Sequence, residues 1–255
     1  MDLLVVGAGE MGRWVARTVD ADVALADVDP STADAAAAEL DARSVAIGTD
    51  ETFDAVCLAV PISTVADAVA THAPRAERAM FDVSGVMDAP LRAMREQLPD
   101  RERVSIHPLF AAANAPGNVA VVADAPGPVT DAVREDFRAA GNDCFETTAA
   151  EHDEAMETVQ AGAHTAILAY ALAAEDVRDE FATPVSARLD DLVRTVTGDT
   201  PRVYREIQEM FAGADRVADA ARRLAAAEGE AFDELYREAG RHPTTEAGTR
   251  RTEGE

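Results

Sequence analysis

The residues best suited to chemistry fall at the ends of short apolar runs. Gly7-Ala8-Gly9-Glu10-Met11-Gly12 follows LLVV at residues 3–6 and leads into MGRWVARTV, a segment of helical character. This is a G-x-G-x-x-G between a strand and a helix. Gly7 permits the tight turn, Gly9 lets a pyrophosphate approach the backbone, and Gly12 lets the helix pack close to the strand. Glu10 and Met11 open that helix, whose amino terminus offers N–H donors and a positive dipole end to phosphates. Asp27 closes the second run, DVALA at 22–26. A carboxylate there accepts hydrogen bonds from both adenosine ribose hydroxyls and repels a 2′-phosphate. No Arg or Lys lies between Leu25 and Leu40 to offset it, so the expected cofactor is NAD rather than NADP. Asp29, just before Pro30, is expected to cap a helix that has proline at its first position.

A second set of polar residues ends the later runs. One run closes in Ala59-Val60-Pro61, the next in Asp82-Val83-Ser84-Gly85-Val86, and the next in His107-Pro108-Leu109-Phe110. In a parallel sheet these carboxyl ends share one edge, where ligands of open α/β folds bind. A histidine ending an apolar strand is either a satisfied core residue or a catalytic group. With a nicotinamide expected at the same edge, His107 is read as catalytic. Val60 and Pro61 are expected to border the cofactor. Further on, Asp153, Glu157, Gln160 and His164 fall within about 60° of one another at helical spacing and make one polar stripe. The stripe is either a solvated face or a site wall, and His164, amid Ala and Ile, is its deepest member. His152 reads as a structural residue of the helix start, and His72 as part of an exposed turn. Arg194 has Asp190 and Asp191 at helical spacing, which offers a salt bridge as its ordinary fate.

These residues need a scaffold, and the apolar pattern supplies one. Runs at 3–6, 22–26, 55–60, 79–83, 104–106 and 119–122 alternate with Ala-rich helical segments. Continuous apolar strands separated by helices predict a parallel sheet covered on both faces, the α/β doubly wound Rossmann architecture. Strand signals stop near residue 148. A long helix over 150–180 and three more near 184–197, 201–212 and 214–238 predict an all-α second domain. The expected division is therefore a nucleotide-binding domain at 1–148, a helical substrate and dimerisation domain at 149–240, and a disordered tail at 241–255.

Together these motifs resemble the prephenate and arogenate dehydrogenase family, over about residues 1–210. GAGEMG, the His-Pro pair, the Glu151-His152-Asp153 helix start with His164 after it, and Arg194 carry the resemblance. Gly85 and Met87 stand where the family usually has Ser and Lys, and Ala111 replaces a Gly after Phe110. The resemblance implies NAD-dependent oxidative decarboxylation of prephenate to 4-hydroxyphenylpyruvate, in tyrosine biosynthesis, by a homodimer. It gives His107 the role of proton acceptor and Arg194 that of a guanidinium fork on a substrate carboxylate. Ser84, one place early for the family serine, and His164 would orient the substrate or the imidazole. Arogenate, or another small acid on the same scaffold, is the alternative substrate. A non-catalytic NAD-binding regulator is the alternative class. Hydroxyacid dehydrogenases and imine reductases place a catalytic Lys in the helical domain or have no His-Pro motif, and this chain has no lysine.

Bulk composition narrows the partners. The 255 residues carry 48 acidic and 23 basic side chains, a formal net charge of -25. Such a chain repels nucleic-acid backbones and anionic membranes. So large an acidic excess points to a salty, halophilic cytoplasm, where ions screen the self-repulsion. No apolar run is long enough to span a bilayer, and the start reads as a strand rather than a signal peptide, so the expected compartment is cytoplasmic. The two cysteines, Cys57 in an apolar run and Cys144, lack metal-ligand spacing, and no metal site is expected.

Overall fold

The computed structural model describes residues 1–198 and 200–241. The expected tail at 241–255 lies outside the described residues after Arg241. Eight strands form one sheet: β1 (Asp2–Val6), β2 (Asp22–Ala26), β3 (Arg43–Ser44), β4 (Phe53–Leu58), β5 (Ala76–Asp82), β6 (Glu102–Pro108), β7 (Asn118–Ala125) and β8 (Asp143–Glu146). Their order is β3-β2-β1-β4-β5-β6-β7-β8. The first six are parallel, and the order reverses between β1 and β4, which opens a crevice at their carboxyl ends.

The helices of this half are α1 (Glu10–Thr18), α2 (Pro30–Leu40), α3 (Val65–His72), α4 (Asp88–Gln97) and α5 (Pro128–Ala139). They cover both faces of the sheet, so every central strand is apolar on both sides. Leu3, Val5, Ala55, Cys57 and Phe81 pack into one layer, and Leu4, Val6, Val56, Leu58 and Met80 into the other. This burial on both faces is why those strands read as continuous apolar runs. Cys57 sits in the core as expected. Asp29 caps α2, accepting from the Ser31 N–H at 3.0 Å, with Pro30 at the first helical position.

Three features depart from expectation. β7 runs antiparallel to β6, so the sheet is parallel only up to β6. The segment between them, residues 109–117, carries a single short turn and no crossover helix, and a strand joined that way must return antiparallel. β3 and β8 were not expected. They are short edge strands, largely exposed, without the apolar run of a buried strand. His72 does not lie in an exposed turn. It is buried at the end of α3, 2.9 Å from an Arg75 guanidinium nitrogen, and burial, then the Arg75 charge, lowers its pKa to about 4.

From residue 149 the described chain is helical: α6 (Ala149–Met156), a π-helical stretch (Glu157–Gly162), α7 (Ala163–Ala173), α8 (Pro184–Thr197), α9 (Pro201–Met210), α10 (Gly213–Ala226) and α11 (Glu230–Gly240). The expected 150–180 helix stops at Ala173, and the expected 214–238 helix breaks at Gly229, whose φ is +53°. The π stretch receives Gly213 against its backbone. A Cβ on Gly213 would lie 1.9 Å from the Glu157 carbonyl oxygen, so only glycine allows this approach. A small apolar cluster of Val86, Met156, Ala161, Ile207 and Phe211 joins the helices to the sheet edge. No described helix is long and apolar enough to cross a membrane.

Candidate active site

The glycine loop has the form its spacing predicts. Gly7 has φ +96°, and a Cβ there would meet the Ala59 carbonyl oxygen at 2.2 Å. A Cβ on Gly12 would meet the Gly7 carbonyl oxygen at 1.9 Å, so α1 lies against the turn with no room between them. Around Gly9 nothing lies within 4 Å of an added Cβ. Gly9 begins α1 without a side-chain cap, so no capping side chain takes up the first N–H groups of that helix. Two closed glycines and one open one, at an uncapped helix start, form a cradle that fits a pyrophosphate. Glu10 is exposed beside it, Met11 is half-buried, and Val60 and Pro61 are half-buried where the chain leaves β4.

Asp27 is tied to this loop. One carboxylate oxygen accepts from the Ala8 N–H at 2.8 Å and the other from the Asp29 N–H at 3.0 Å. Each oxygen keeps a second lone pair for a ribose hydroxyl, so the backbone holds the carboxylate in place without filling it.

At the carboxyl end of β6, His107 is buried, 7% exposed. Its Nδ1 lies 2.8 Å from Nε2 of His152, and Nδ1 of His152 lies 2.7 Å from Asp153 Oδ1. The Asp153 carboxylate also accepts from the backbone N–H groups of Met87 at 3.1 Å and Asp88 at 3.2 Å, where α4 begins. Burial pushes this carboxyl up. The bonds from His152, Met87 and Asp88 outweigh burial and hold it below the usual carboxylate range. Burial pushes His107 the other way, down to about 3, aided by His152 and opposed by Asp153, so the imidazole is neutral. Its Nε2 faces Gly85, where an added Cβ would stand 3.7 Å away, and the Gln160 amide nitrogen at 3.5 Å.

His152 is therefore not the helix-start structural residue that the sequence suggested. It is 3% exposed and joined to His107. The signal was present in Glu151-His152-Asp153, but only the fold brings α6 against β6. The polar stripe also divides. Asp153 turns to α4, Glu157 pairs with Arg216, Gln160 points at His107, and His164 packs edge-on against Tyr204 at 4.8 Å. The π stretch shifts the register after Met156, which a count at 3.6 residues per turn could not anticipate. Burial lowers the pKa of His164. Its buried Nδ1, like Gln160 Oε1, has no hydrogen-bond partner among the described residues.

Ser84 is buried, but its hydroxyl is committed elsewhere, to Asp82 Oδ1 at 2.5 Å and the Val86 carbonyl at 2.9 Å. It ties the 82–86 turn together, and Gly85 is the residue beside His107. Asp82 is fully buried, and burial raises its pKa to about 7 against the opposing bonds from Ser84. Arg194 lies on α8, 70% exposed and paired with Asp191 at 2.5 Å, without a described contact to His107. Sequence reasoning missed Glu206 of α9. Its carboxylate is buried and accepts from the Ile62 N–H and the Ser63 hydroxyl, each at 2.9 Å, immediately after Pro61. Asp153 and Glu206 thus dock the helices onto backbone donors after β5 and β4. Among the described residues no group of three potential ligands could hold a metal ion.

Residues 12–123 match the model of the prephenate dehydrogenase nucleotide-binding domain. The chain is 31% identical over 236 residues to a 4-amino-4-deoxyprephenate dehydrogenase of Streptomyces pristinaespiralis, covering 83% of this chain and 78% of that protein. It is similar in fold to prephenate dehydrogenase from A. aeolicus, solved with hydroxyphenyl propionate and NAD+, with a TM-score of 0.69 at 16% identity over 94% of this chain and 92% of that one. Synechocystis arogenate dehydrogenase gives a TM-score of 0.65 at 18% identity over 94% and 96%. With the glycine cradle, the His-Pro strand end and the docked helices in place, the conclusion is that the chain belongs to the prephenate and arogenate dehydrogenase family.

Proposed function

We propose that this enzyme uses NAD to oxidise and decarboxylate a cyclohexadiene acid of the prephenate type. The observation that carries the reading is His107. It is a buried, neutral imidazole at the same sheet edge as the glycine cradle, with one nitrogen turned toward Gly85 and Gln160. Gly7, Gly9 and Gly12 would seat the pyrophosphate, Glu10 and Met11 would start the helix beneath it, and Asp27 would take the ribose. Val60 and Pro61, steadied by Glu206, would border the nicotinamide. The bound cofactor supplies a hydride acceptor, and the protein's share is positioning and electrostatics. His107 Nε2 accepts the proton from the group on the reacting ring carbon. Arg194 would hold a substrate carboxylate, and His164 and Gln160, with free polar atoms, would wall the ring. Ser84 acts at one remove, by fixing the turn that carries Gly85.

Prephenate is one candidate and arogenate another. A specific observation favours adding a third, 4-amino-4-deoxyprephenate, because the 31% identical relative bears that name. The absence of a side chain at Gly85, where the family's serine stands, supports a difference at the ring substituent. The deciding experiment follows NADH absorbance in molar potassium chloride with all three substrates and a set of 2-hydroxy acids. Turnover only with the 2-hydroxy acids, or with none, would refute the proposal. In the same assay kcat/KM should be higher with NAD than with NADP. Asp27→Ala should weaken NAD binding by about 1–3 kcal/mol, the worth of charge-assisted hydrogen bonds. A preference for NADP would overturn the ribose assignment.

A homodimer through the helices belongs to the same proposal. α7 is apolar along nearly its whole length, AHTAILAYALA, yet none of its residues is buried in the single chain. Leu172, Val177, Phe181 and Val185 are likewise exposed. Faces of this kind are covered in obligate dimers. Light scattering across a potassium chloride series should return twice the mass of the 26.9 kDa chain. Melting temperature should climb over the same series as ions screen the net charge of -25. A monomer mass throughout, or a flat melting curve, would remove the dimer or the salt adaptation respectively.

A further inference from the structure

We propose that His152 and Asp153 are positioning residues that set the tautomer of His107 and stabilise the charge it acquires during turnover. The inference rests on the oxidative decarboxylation proposed above for its second half only. Its first half follows from counting protons along the line of atoms. The Asp153 carboxylate is held by two backbone N–H groups, of Met87 and Asp88, and its hydrogen bonds keep it ionised. An ionised carboxylate only accepts. The nitrogen 2.7 Å from it, His152 Nδ1, must therefore carry the proton. In the uncharged form of His152 that is the ring's one N–H, so Nε2 is then a bare lone pair. That lone pair lies 2.8 Å from His107 Nδ1, which must then be the protonated nitrogen of its own ring. What remains on His107 is the Nε2 lone pair, on the side of Gly85 and Gln160. A carboxylate two rings away thus decides which nitrogen of the buried histidine is a base. The rings stand at 74° with centroids 5.0 Å apart, an end-on rather than stacked arrangement, as a hydrogen-bonded line requires.

The second half concerns charge. As hydride leaves the ring carbon for the cofactor, the hydroxyl proton passes to His107 Nε2, the bond to that proton breaks, and a carbonyl forms. When carbon dioxide leaves, the electron pair of the broken carbon–carbon bond enters the ring. The carbonyl oxygen becomes a phenolate and recovers the proton from Nε2. No proton is gained or lost overall, so His107 needs no exit path. It does need to be a cation between the two steps, in a place where burial opposes one. The fixed anion of Asp153, reached through the His152 N–H, offsets that penalty without any proton leaving Nδ1 of either ring.

The test uses the full-length enzyme and begins without substrate. Nitrogen-15 histidine spectra at neutral pH should show His107 and His152 both protonated at Nδ1 and bare at Nε2. Asp153→Asn removes the charge that imposes this order, and the His107 signals should move toward a mixture of tautomers. In the presence of NAD and the preferred substrate, Asp153→Asn and His152→Leu should each lower kcat by about 10²–10⁴-fold, up to the scale seen when a buried carboxylate no longer orients a catalytic histidine. KM for NAD should hold. His152→Gln keeps an acceptor for His107 Nδ1 and should recover about tenfold of the loss in His152→Leu. A purely structural role predicts lower melting temperatures with normal turnover per folded molecule, and no difference in kcat between Gln and Leu. Wild-type His107 protonated at Nε2, or kcat untouched in both His152 variants, would overturn the proposal even if Asp153→Asn failed to fold. Correct tautomers in an enzyme that turns over no cyclohexadiene acid would uphold the tautomer assignment and refute the reaction instead.

Discussion

His107→Asn should lower kcat by about 10²–10⁴-fold, the usual worth of a positioned general base, while KM for the organic acid moves little. Asparagine can still donate to His152 from its amide, so the fold at the end of β6 should survive. The removed function is the Nε2 lone pair, which has no substitute nearby, because Gly85 offers no side chain and Ser84 is bound to Asp82. A companion variant separates base from binding group. If Arg194 takes a substrate carboxylate, Arg194→Gln should raise KM about tenfold or more and leave kcat nearly unchanged. Its exposed pair with Asp191 contributes little to stability, so the melting temperature should not move in either case. The wild-type pH profile supplies a further check. A pKa of about 3 keeps His107 neutral throughout the range in which an ordinary histidine titrates, so kcat/KM should show no loss on passing from pH 8 to pH 5 that tracks a group near 6.5. Near-normal turnover by folded His107→Asn would mean that this histidine is a core residue and not the base.

Two glycine substitutions should fail in opposite ways, with effects almost as large. Gly9→Val places its side chain in open space, so stability should change by less than about 0.5 kcal/mol. It fills the space left for the pyrophosphate, and NAD affinity should fall by about 2–3 kcal/mol, roughly 30- to 150-fold, as backbone hydrogen bonds to phosphate are lost. Gly12→Val drives a Cβ to 1.9 Å from the Gly7 carbonyl oxygen and 3.3 Å from Val5 Cγ1. Neither backbone nor core can yield easily, so α1 must move from the sheet. A loss of about 3 kcal/mol or more is expected, at the upper end of overpacking costs, together with the loss of NAD binding. Calorimetry for stability and fluorescence titration for NAD distinguish the two. Equal effects on stability would mean that the loop does not have the open centre and closed flanks described here.

Much of this was legible from local pattern. Apolar strand runs, the G-x-G-x-x-G spacing, Asp27 at the end of β2 and the Asp29-Pro30 cap are short-range features. A strand buried on both faces has to be apolar throughout, and a turn without room for a Cβ has to be glycine, so residue type reports structure directly. His107 could be selected because its motif ends a strand at the edge where such folds bind ligands. What only the tertiary structure decided are pairings between residues distant in the chain. His107 and His152 are 45 positions apart, and Ile62 and Glu206 are 144 apart. Nothing in the local spacing of either pair announces its partner. The π stretch at Glu157–Gly162, against which Gly213 of another helix packs, defeated the count of residues per turn. The direction of β7 depended on a connection too short to cross the sheet. The sequence by itself determined the sheet, the cofactor loop and the candidate base. Which neighbours make His107 a base was decided by helix docking, since a tautomer depends on what lies within hydrogen-bond distance and not on what lies nearby in the chain.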